Sequence, residues 1–444
     1  MMPKVYMAFL GTNDYLPCTY FSEGREIENV RFVQEATLKF FCNEWSRDDR
    51  ILIFTTDEAE QKNWQDNGQV DGKTKNVLQR KGLKKCIQDS KLSVPFQNLL
   101  IPDGKRESEI WDIFRIVLDQ LKQGDDVVFD ITHAFRSIPM LAIIVLNYAK
   151  IMKDITIGGI YYGAFEVLGS IHEAKKIPPK ERRVPVLNLT SFDQLMEWSF
   201  AINRFIEAGD AAHISRLASY SARSVLSATK GEDRTAHLLR RIAGDLDSFT
   251  KTLSTCRGLN ISNIVNKLNK DIKQLEESDY VPPEPFQPVF RQIKDQINCF
   301  KGKIVPDGIS ASRWCLDHNL IQQGYTILQE TLISYFVSKI GENPEYLKNK
   351  NRKIVNQAIA IYNKNLPRKE WMKPAKDDPK TTCKFIEFYK NQNELVKIYN
   401  DLIDFRNDLN HAGYRTNPRR SETFGKRLSE MVDRVETCLA YGSS

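Results

Sequence analysis

Apolar residues recur along the first half of the chain in two alternating rhythms. Short unbroken runs at Val5–Leu10, Ile51–Thr55, Phe96–Ile101 and Val127–Ile131 have the length and continuity of strands buried on both faces. Between them, apolar positions fall at helical spacing. Such stretches are Ile27–Trp45 (Val30, Val33, Leu38, Phe41, Trp45), Thr74–Ile87 with Thr74 as its cap, Ser108–Leu121, and Ser137–Met152. Pro139 falls in the first turn of the last of these, where proline is tolerated. Ile155–Tyr162 and Val184–Leu189 read as further strands. A β-α-β-α order of this kind predicts an α/β domain with a mainly parallel sheet and helices on both faces. Ligands of such sheets bind beyond the carboxyl ends of the strands, so the loops after Leu10, Ile53 and Ile131 are the ones to examine.

After about Thr190 the strand rhythm stops and an all-α region is expected. Ser191 caps a helix through Trp198 and Phe205, and helical spacing continues through His237–Leu253 and Ile261–Leu275. The proline-rich stretch Tyr280–Pro288 is a plausible boundary. Beyond it come a long helix over Leu316–Ile340, one over Ile386–Leu409 and a last one over Ser421–Leu439. The expected organisation is residues 1–190, a helical connecting region over 191–300, and a C-terminal helical domain over 301–444.

Composition narrows the class. Of the 444 residues, 41% are hydrophobic and 27% charged, which suits a globular chain. The most apolar stretch, Met140–Leu146, is too short to cross a bilayer, and the first residues lack the features of a signal peptide, so a cytoplasmic protein without membrane contact is expected. The eight cysteines are scattered singly, with no C-x-x-C pair, so neither a zinc site nor a disulfide framework is signalled. The net charge of +7 fits weak attraction to nucleic acid without demanding it. Lys348–Lys384 is rich in lysine and arginine, with only Glu370, Asp377 and Asp378 opposing them. That stretch reads equally as a solvated loop region or as an RNA-steering patch.

Three N-terminal loops carry candidate ligand contacts: Gly11, Thr12 and Asn13 (followed by Asp14 and Tyr15), then Thr55 and Thr56, then Thr132, His133, Ala134, Phe135, Arg136 and Ser137 after Asp130. The third lies between a strand and a helix start, whose free N–H groups and dipole attract anions. Arg136 can bond a phosphate, His133 and Phe135 can stack on a base, and Asn13 can read a base edge. With no G-x-G-x-x-G and no Walker loop, ordinary dinucleotide or ATP binding is not indicated. The plainer alternative is that these hydroxyls cap helices and Arg136 pairs with Asp130.

The C-terminal candidate is Arg406, Asn407 and His411, with Gly413 behind them. Five steps of about 100° place Arg406 and His411 roughly 140° apart on an ideal helix, so they share a site only if the helix ends near His411 or if a second copy completes it. For RNA the chemistry is sufficient without a metal. Histidine moves the 2′-hydroxyl proton and arginine stabilises the phosphate while the 2′-oxygen attacks it. The same spacing recurs at Arg313 and His318, but Trp314 follows that arginine, and His318 reads as a core residue.

Together these stretches resemble the CRISPR-associated CARF–HEPN ribonucleases of type III systems. The resemblance rests on Gly11–Tyr15, on Asp130–Ser137, and on Arg406-Asn407 through His411. The helix with Trp314, Gln323 and Glu330 is also similar to the first helix of such nuclease domains. It implies a Rossmann-like CARF domain, which senses cyclic oligoadenylate, and an all-α HEPN-like domain. It further implies a homodimer or higher homo-oligomer whose paired HEPN domains cut single-stranded RNA through Arg406, Asn407 and His411. The activator is a ring, tetra-adenylate ahead of hexa-adenylate, and no metal or cofactor is called for. Relatives often carry glycine where Ala134 stands, which leaves the shape of this loop open.

Two other functions compete. A nucleotide-sensing regulator or binding module without nuclease activity would account for the fold but not for Arg406 and His411. A metal-dependent nuclease would use Asp154, Glu173 and Lys175, a loose and otherwise unsupported set.

Overall fold

The computed structural model describes residues 2–71, 74–132, 138–278, 287–340, 349–414 and 416–441. Contacts divide the chain into two units, Met1–Gln194 and Leu195–Ser444.

The first unit is built on an eight-stranded sheet. One half of it consists of β1 (Lys4–Leu10), β4 (Arg50–Thr55), β5 (Phe96–Leu100) and β6 (Asp126–Asp130), in the spatial order β6-β1-β4-β5 and all parallel, with β5 at the edge. The unbroken apolar runs of β1, β4 and β6 are explained by burial on both sides, whereas β5, expected to be buried likewise, is an edge strand whose Leu100 is exposed. Tyr6, Ala8, Leu10, Ile51 and Ile53 face one core, while Val5, Met7, Phe9, Leu52 and Phe54 face the other. Helices α1 (Val33–Phe41) and α3 (Leu83–Asp89) cover the first core, and α4 (Glu107–Gln120) and α5 (Ile138–Lys153) the second, while the short α2 (Asp57–Ala59) follows β4 and the short α6 (Ile171–Lys176) precedes the last strand. Among these four strands the chain builds outward from β1 through β4 to β5 on one side, then crosses to β1's other side as β6. The strand order therefore switches between the carboxyl ends of β1 and β6, where α/β sheets hold ligands.

The far edge departs from the expected pattern. β7 (Thr156–Gly163) is parallel to β6, but β8 (Arg183–Asn188) runs antiparallel to β7. A hairpin, β2 (Cys18–Ser22) and β3 (Arg25–Val30), closes the edge. The helical reading of Ile27–Trp45 is thus corrected: the helix starts only at Val33. Glu23 and Gly24 both take positive φ, the two-residue turn that matches strand twist, and β3 is an exposed edge strand whose Ile27 and Val30 merely mimic helical spacing. Thr74 caps no helix; its N–H bonds Asp71 Oδ1 at 2.7 Å, and α3 begins after Gly82. A Cβ on Gly82 would lie 2.3 Å from the Trp64 carbonyl oxygen, so the chain crosses there only as glycine.

The second unit is helical throughout its described residues. α7 (Thr190–Ala208) starts one residue before the expected cap, with the Asn188 side chain accepting the Thr190 N–H. α8 (Ala212–Ala228), unforeseen in the sequence, pairs with α9 (Arg234–Ser254), and α10 (Gly258–Glu276) follows. These helices and α11 (Gln287–Ile297) pack around Trp314 of α12 (Ile304–Asp317). A second core joins α13 (Ile321–Ile340), α14 (Asn349–Lys364), α15 (Pro379–Lys390), α16 (Asn393–Asn410) and α17 (Ser421–Tyr441). Two expected long helices are each split. Asn319 takes a left-handed φ of +57° between α12 and α13, and Asn391–Gln392 separate α15 from α16. Apolar periodicity runs straight across both breaks and conceals them. Among the described residues, no helix is long and apolar enough to cross a membrane.

Candidate functional site

At the carboxyl end of β1, the loop Gly11–Tyr15 is held from behind. Asn63 donates to the carbonyls of Gly11 (2.8 Å) and Asn13 (2.9 Å), and Gln69 donates to Asn63 Oδ1 (3.0 Å). Arg31 donates to the same Asn63 oxygen at 3.1 Å and lies over the Phe32 ring. The buried Tyr15 hydroxyl accepts the Gly11 N–H, and burial pushes its pKa well up, so it stays neutral. Asp14 bonds Arg80 (2.7 Å) and Lys175 (2.9 Å). Burial works against its ionisation, yet the two cations hold its carboxyl below the ordinary range. Asn13, in contrast, is exposed.

The second loop is differently placed. Thr55 and Thr56 are both buried. The Thr55 hydroxyl donates to Asn98 Oδ1 and that of Thr56 accepts the Ala59 N–H as a helix cap. At the end of β6, the fully buried Asp130 accepts from Tyr6 (3.2 Å), Thr37 (2.9 Å) and the Thr132 N–H (3.0 Å). Burial raises its pKa against the pull of these donors. The Thr132 hydroxyl accepts the Gly163 N–H at 2.7 Å, tying the end of β6 to β7. His133, Ala134, Phe135, Arg136 and Ser137 lie outside the described residues. Gly11, Thr12, Asn13 and Thr132 are thus brought to the switch point, on a frame whose keystones, Asn63, Gln69 and Asp130, the sequence did not single out as structural. Asn63 and Gln69 lie some fifty or more residues from the carbonyls they hold and carry no local signal of such a role.

In the second unit, α16 ends at Asn410 with His411 as its exposed C-cap. Ala412 (φ +50°) and Gly413 (φ +72°) turn the chain there, as the glycine foretells. Asn407 is exposed, while Arg406 is half-buried and points to α13, where its Nη1 donates to Gln329 Oε1 at 2.8 Å. Its Nε is buried and has no partner among the described residues. Gln329 in turn donates to the Tyr399 hydroxyl (3.4 Å), which bonds Asn356 Oδ1 at 2.5 Å. Arg406 is therefore held by a buried polar chain across three helices, and no hydrogen bond joins it to His411 among the described residues. Behind them, Asp408 accepts the Arg419 backbone and guanidinium, pinning the following loop.

The second copy of the spacing is structural, as its neighbours suggested. His318 is buried, stacks on Trp314 at 4.2 Å and bonds the Trp314 carbonyl, while Arg313 pairs with Asp433 and Glu436. The loose carboxylate set is otherwise employed: Glu173 completes a capping box with Ser170, and Lys175 pairs with Asp14. Among the described residues no cluster of histidine, cysteine or carboxylate groups is arranged to hold a metal.

Residues 5–166 match the family described as CRISPR system endoribonuclease Csx1, CARF domain, and residues 194–301 match CRISPR-associated protein MJ1674, second domain. The N-terminal part of the chain is thus similar to the CARF domains of CRISPR-associated proteins. The CRISPR-associated protein MJ1674 of Methanocaldococcus jannaschii is 24% identical over 279 residues, 61% of this chain. The chain spans 38% of the length of that relative. The CARF match contains the whole parallel core and every N-terminal residue at the switch point. Arg406, Asn407 and His411 lie beyond both matched ranges.

Proposed function

We propose that this protein is a cytoplasmic, cyclic-oligoadenylate-activated endoribonuclease that cuts single-stranded RNA without a metal, in type III CRISPR defence. The observation that carries the reading is the pairing, in one chain, of a CARF-like domain with an arginine anchored on a buried polar chain five residues before an exposed histidine at a helix end. The carboxyl ends of β1 and β6 take the ring, tetra-adenylate ahead of hexa-adenylate, with Gly11, Thr12, Asn13 and residues 132–137 as contacts.

Arg406 and His411 diverge within one chain, so the active arrangement is a composite of two copies. A symmetric ring suits a symmetric pair. α5 supports such a pair. Its inner side packs in the core, yet Met140, Ile144, Tyr148 and Ile151 are exposed, Ile151 at 83%, and Trp111 of α4 extends the patch through Phe114. A helix apolar on all sides is a buried helix, and this one starts directly after residues 132–137 in the sequence, so a second copy seated on it brings the two candidate ligand segments near one another.

In the cleavage step, His411 takes the 2′-hydroxyl proton, the 2′-oxygen bonds to the adjacent phosphorus, and the 5′-oxygen leaves with a proton from the second histidine. Arg406 stabilises the added negative charge. Products carry a 2′,3′-cyclic phosphate and a 5′-hydroxyl. Ring binding activates only through tighter binding to the active arrangement. The test is His411→Ala: cleavage disappears while ring binding persists. Retained cleavage by this variant contradicts the assignment.

A further inference from the structure

The matched second domain carries a feature that the ring site and the nuclease site leave unused. α8 buries Ile214, Ala218 and Ala222 on one side. On the other, Arg216, Tyr220, Arg223 and Ser227 fall within an arc of about 60°, and all four are exposed. A cleft of about 300 Å³ opens beside this stripe, lined by Ser219, Arg223, Leu226 and Ser227 of α8 and by Arg240 of α9.

The charge here is one-sided. α8 contains no aspartate or glutamate, and α9 contains none before Asp245. Two carboxylates sit in the intervening turn, Glu232 and Asp233, and the Asp233 side chain is occupied by the Ala236 N–H as the α9 cap. Neither Arg223 nor Arg240 pairs with a carboxylate among the described residues, unlike the adjacent Arg241, which grips Asp271 with two bonds. Two guanidinium groups facing one cleft repel each other until an anion sits between them, and two serine hydroxyls stand ready to donate to it. Tyr220, 73% exposed and three residues before Arg223, offers a flat ring beside the anion position.

We propose that Arg223 and Arg240, with Ser219 and Ser227, hold a backbone phosphate of single-stranded RNA while an adjacent base stacks on Tyr220. Cations that track the phosphates and an aromatic that stacks a base are the two components of sequence-tolerant single-strand binding. A phosphopeptide would engage the arginines but leave Tyr220 idle. The site rests on the ribonuclease reading for its ligand and adds a grip on substrate away from Arg406 and His411.

The test is fluorescence anisotropy of the full chain with a 2′-O-methylated single-stranded RNA, which lacks the attacking hydroxyl and is not cut. Arg223→Ala/Arg240→Ala weakens binding roughly tenfold and flattens the dependence of log K on log salt by about 0.7, the value for one lost phosphate contact. Tyr220→Ala weakens it roughly fivefold or more. Unchanged affinity and slope in the double variant overturn the proposal, and so does an arginine effect without a tyrosine effect, which signals bare charge attraction. These residues are exposed, so folding is retained and is checked by circular dichroism. Normal ring-activated cleavage with no binding defect removes this site and leaves the ribonuclease reading standing. Arginine- and tyrosine-dependent binding by a chain that never cuts unmodified RNA does the reverse.

Discussion

Gln329→Leu isolates the anchoring of Arg406 from its chemistry. Gln329 is 5% exposed and receives the Arg406 Nη1 at 2.8 Å. Leucine fills similar space but accepts nothing, so the guanidinium loses its observed partner while its buried Nε already has none. A hydrogen bond to a charged group contributes about 1.5–3 kcal/mol. If that anchoring is expressed in the transition state, at 1.36 kcal/mol per tenfold, cleavage slows by roughly 10- to 150-fold. The loss falls mainly on kcat, because the anchored charge matters most where negative charge develops on phosphorus. The assay is steady-state cleavage of a labelled single-stranded RNA at saturating activator, with thermal melting alongside to show a folded chain. A kcat within twofold of the parent, in a folded variant, refutes the idea that the Gln329–Tyr399–Asn356 chain positions Arg406.

Three further outcomes follow from the same structure. Asp130 has a raised pKa, so its protonated form is the one favoured on folding. The wild-type chain therefore loses stability as pH rises from the ordinary carboxyl value near 3.8 through the raised folded value. Asp130→Asn removes this dependence, so its melting temperature gains on the wild type as pH climbs from about 4 towards neutrality; a gap that does not vary with pH counts against the raised value. Gly163→Ala puts a Cβ 2.4 Å from Val33 Cγ2, and overpacking of this kind costs roughly 1–3 kcal/mol; urea unfolding measures it, and an unchanged midpoint contradicts the packing described. Ile144→Glu/Ile151→Glu places two charges on the exposed apolar face of α5, and sedimentation velocity is expected to show a dimer dissociation constant raised at least tenfold with near-native secondary structure; an unaltered dimer moves the interface elsewhere.

The parallel core was legible because β1, β4 and β6 are buried on both faces and so lack polar interruptions. The β2–β3 hairpin was not, since its turn is Glu23-Gly24 and its outer strand is mostly exposed and polar. Helix breaks failed for a related reason. At Asn319 the left-handed residue is an asparagine, and the apolar spacing resumes in phase. In the second candidate site, the helix end could be read locally: Gly413 marks where α16 stops and places His411 at its end. The residues that support the candidate positions could not. Asn63 lies some fifty residues from the carbonyls it holds, and Gln329 lies 77 from Arg406. Hydrogen bonds at that separation exist only once the chain has folded.

The most direct test of the central claim is cleavage of a fluorescent single-stranded RNA in excess chelator, with no ring, with cyclic tetra-adenylate, and with cyclic hexa-adenylate. The expected result is cutting that needs one ring, tetra-adenylate, persists in chelator, and vanishes in His411→Ala. Absence of cutting with either ring, or cutting that stops when metal is removed, contradicts a ring-activated, metal-independent ribonuclease.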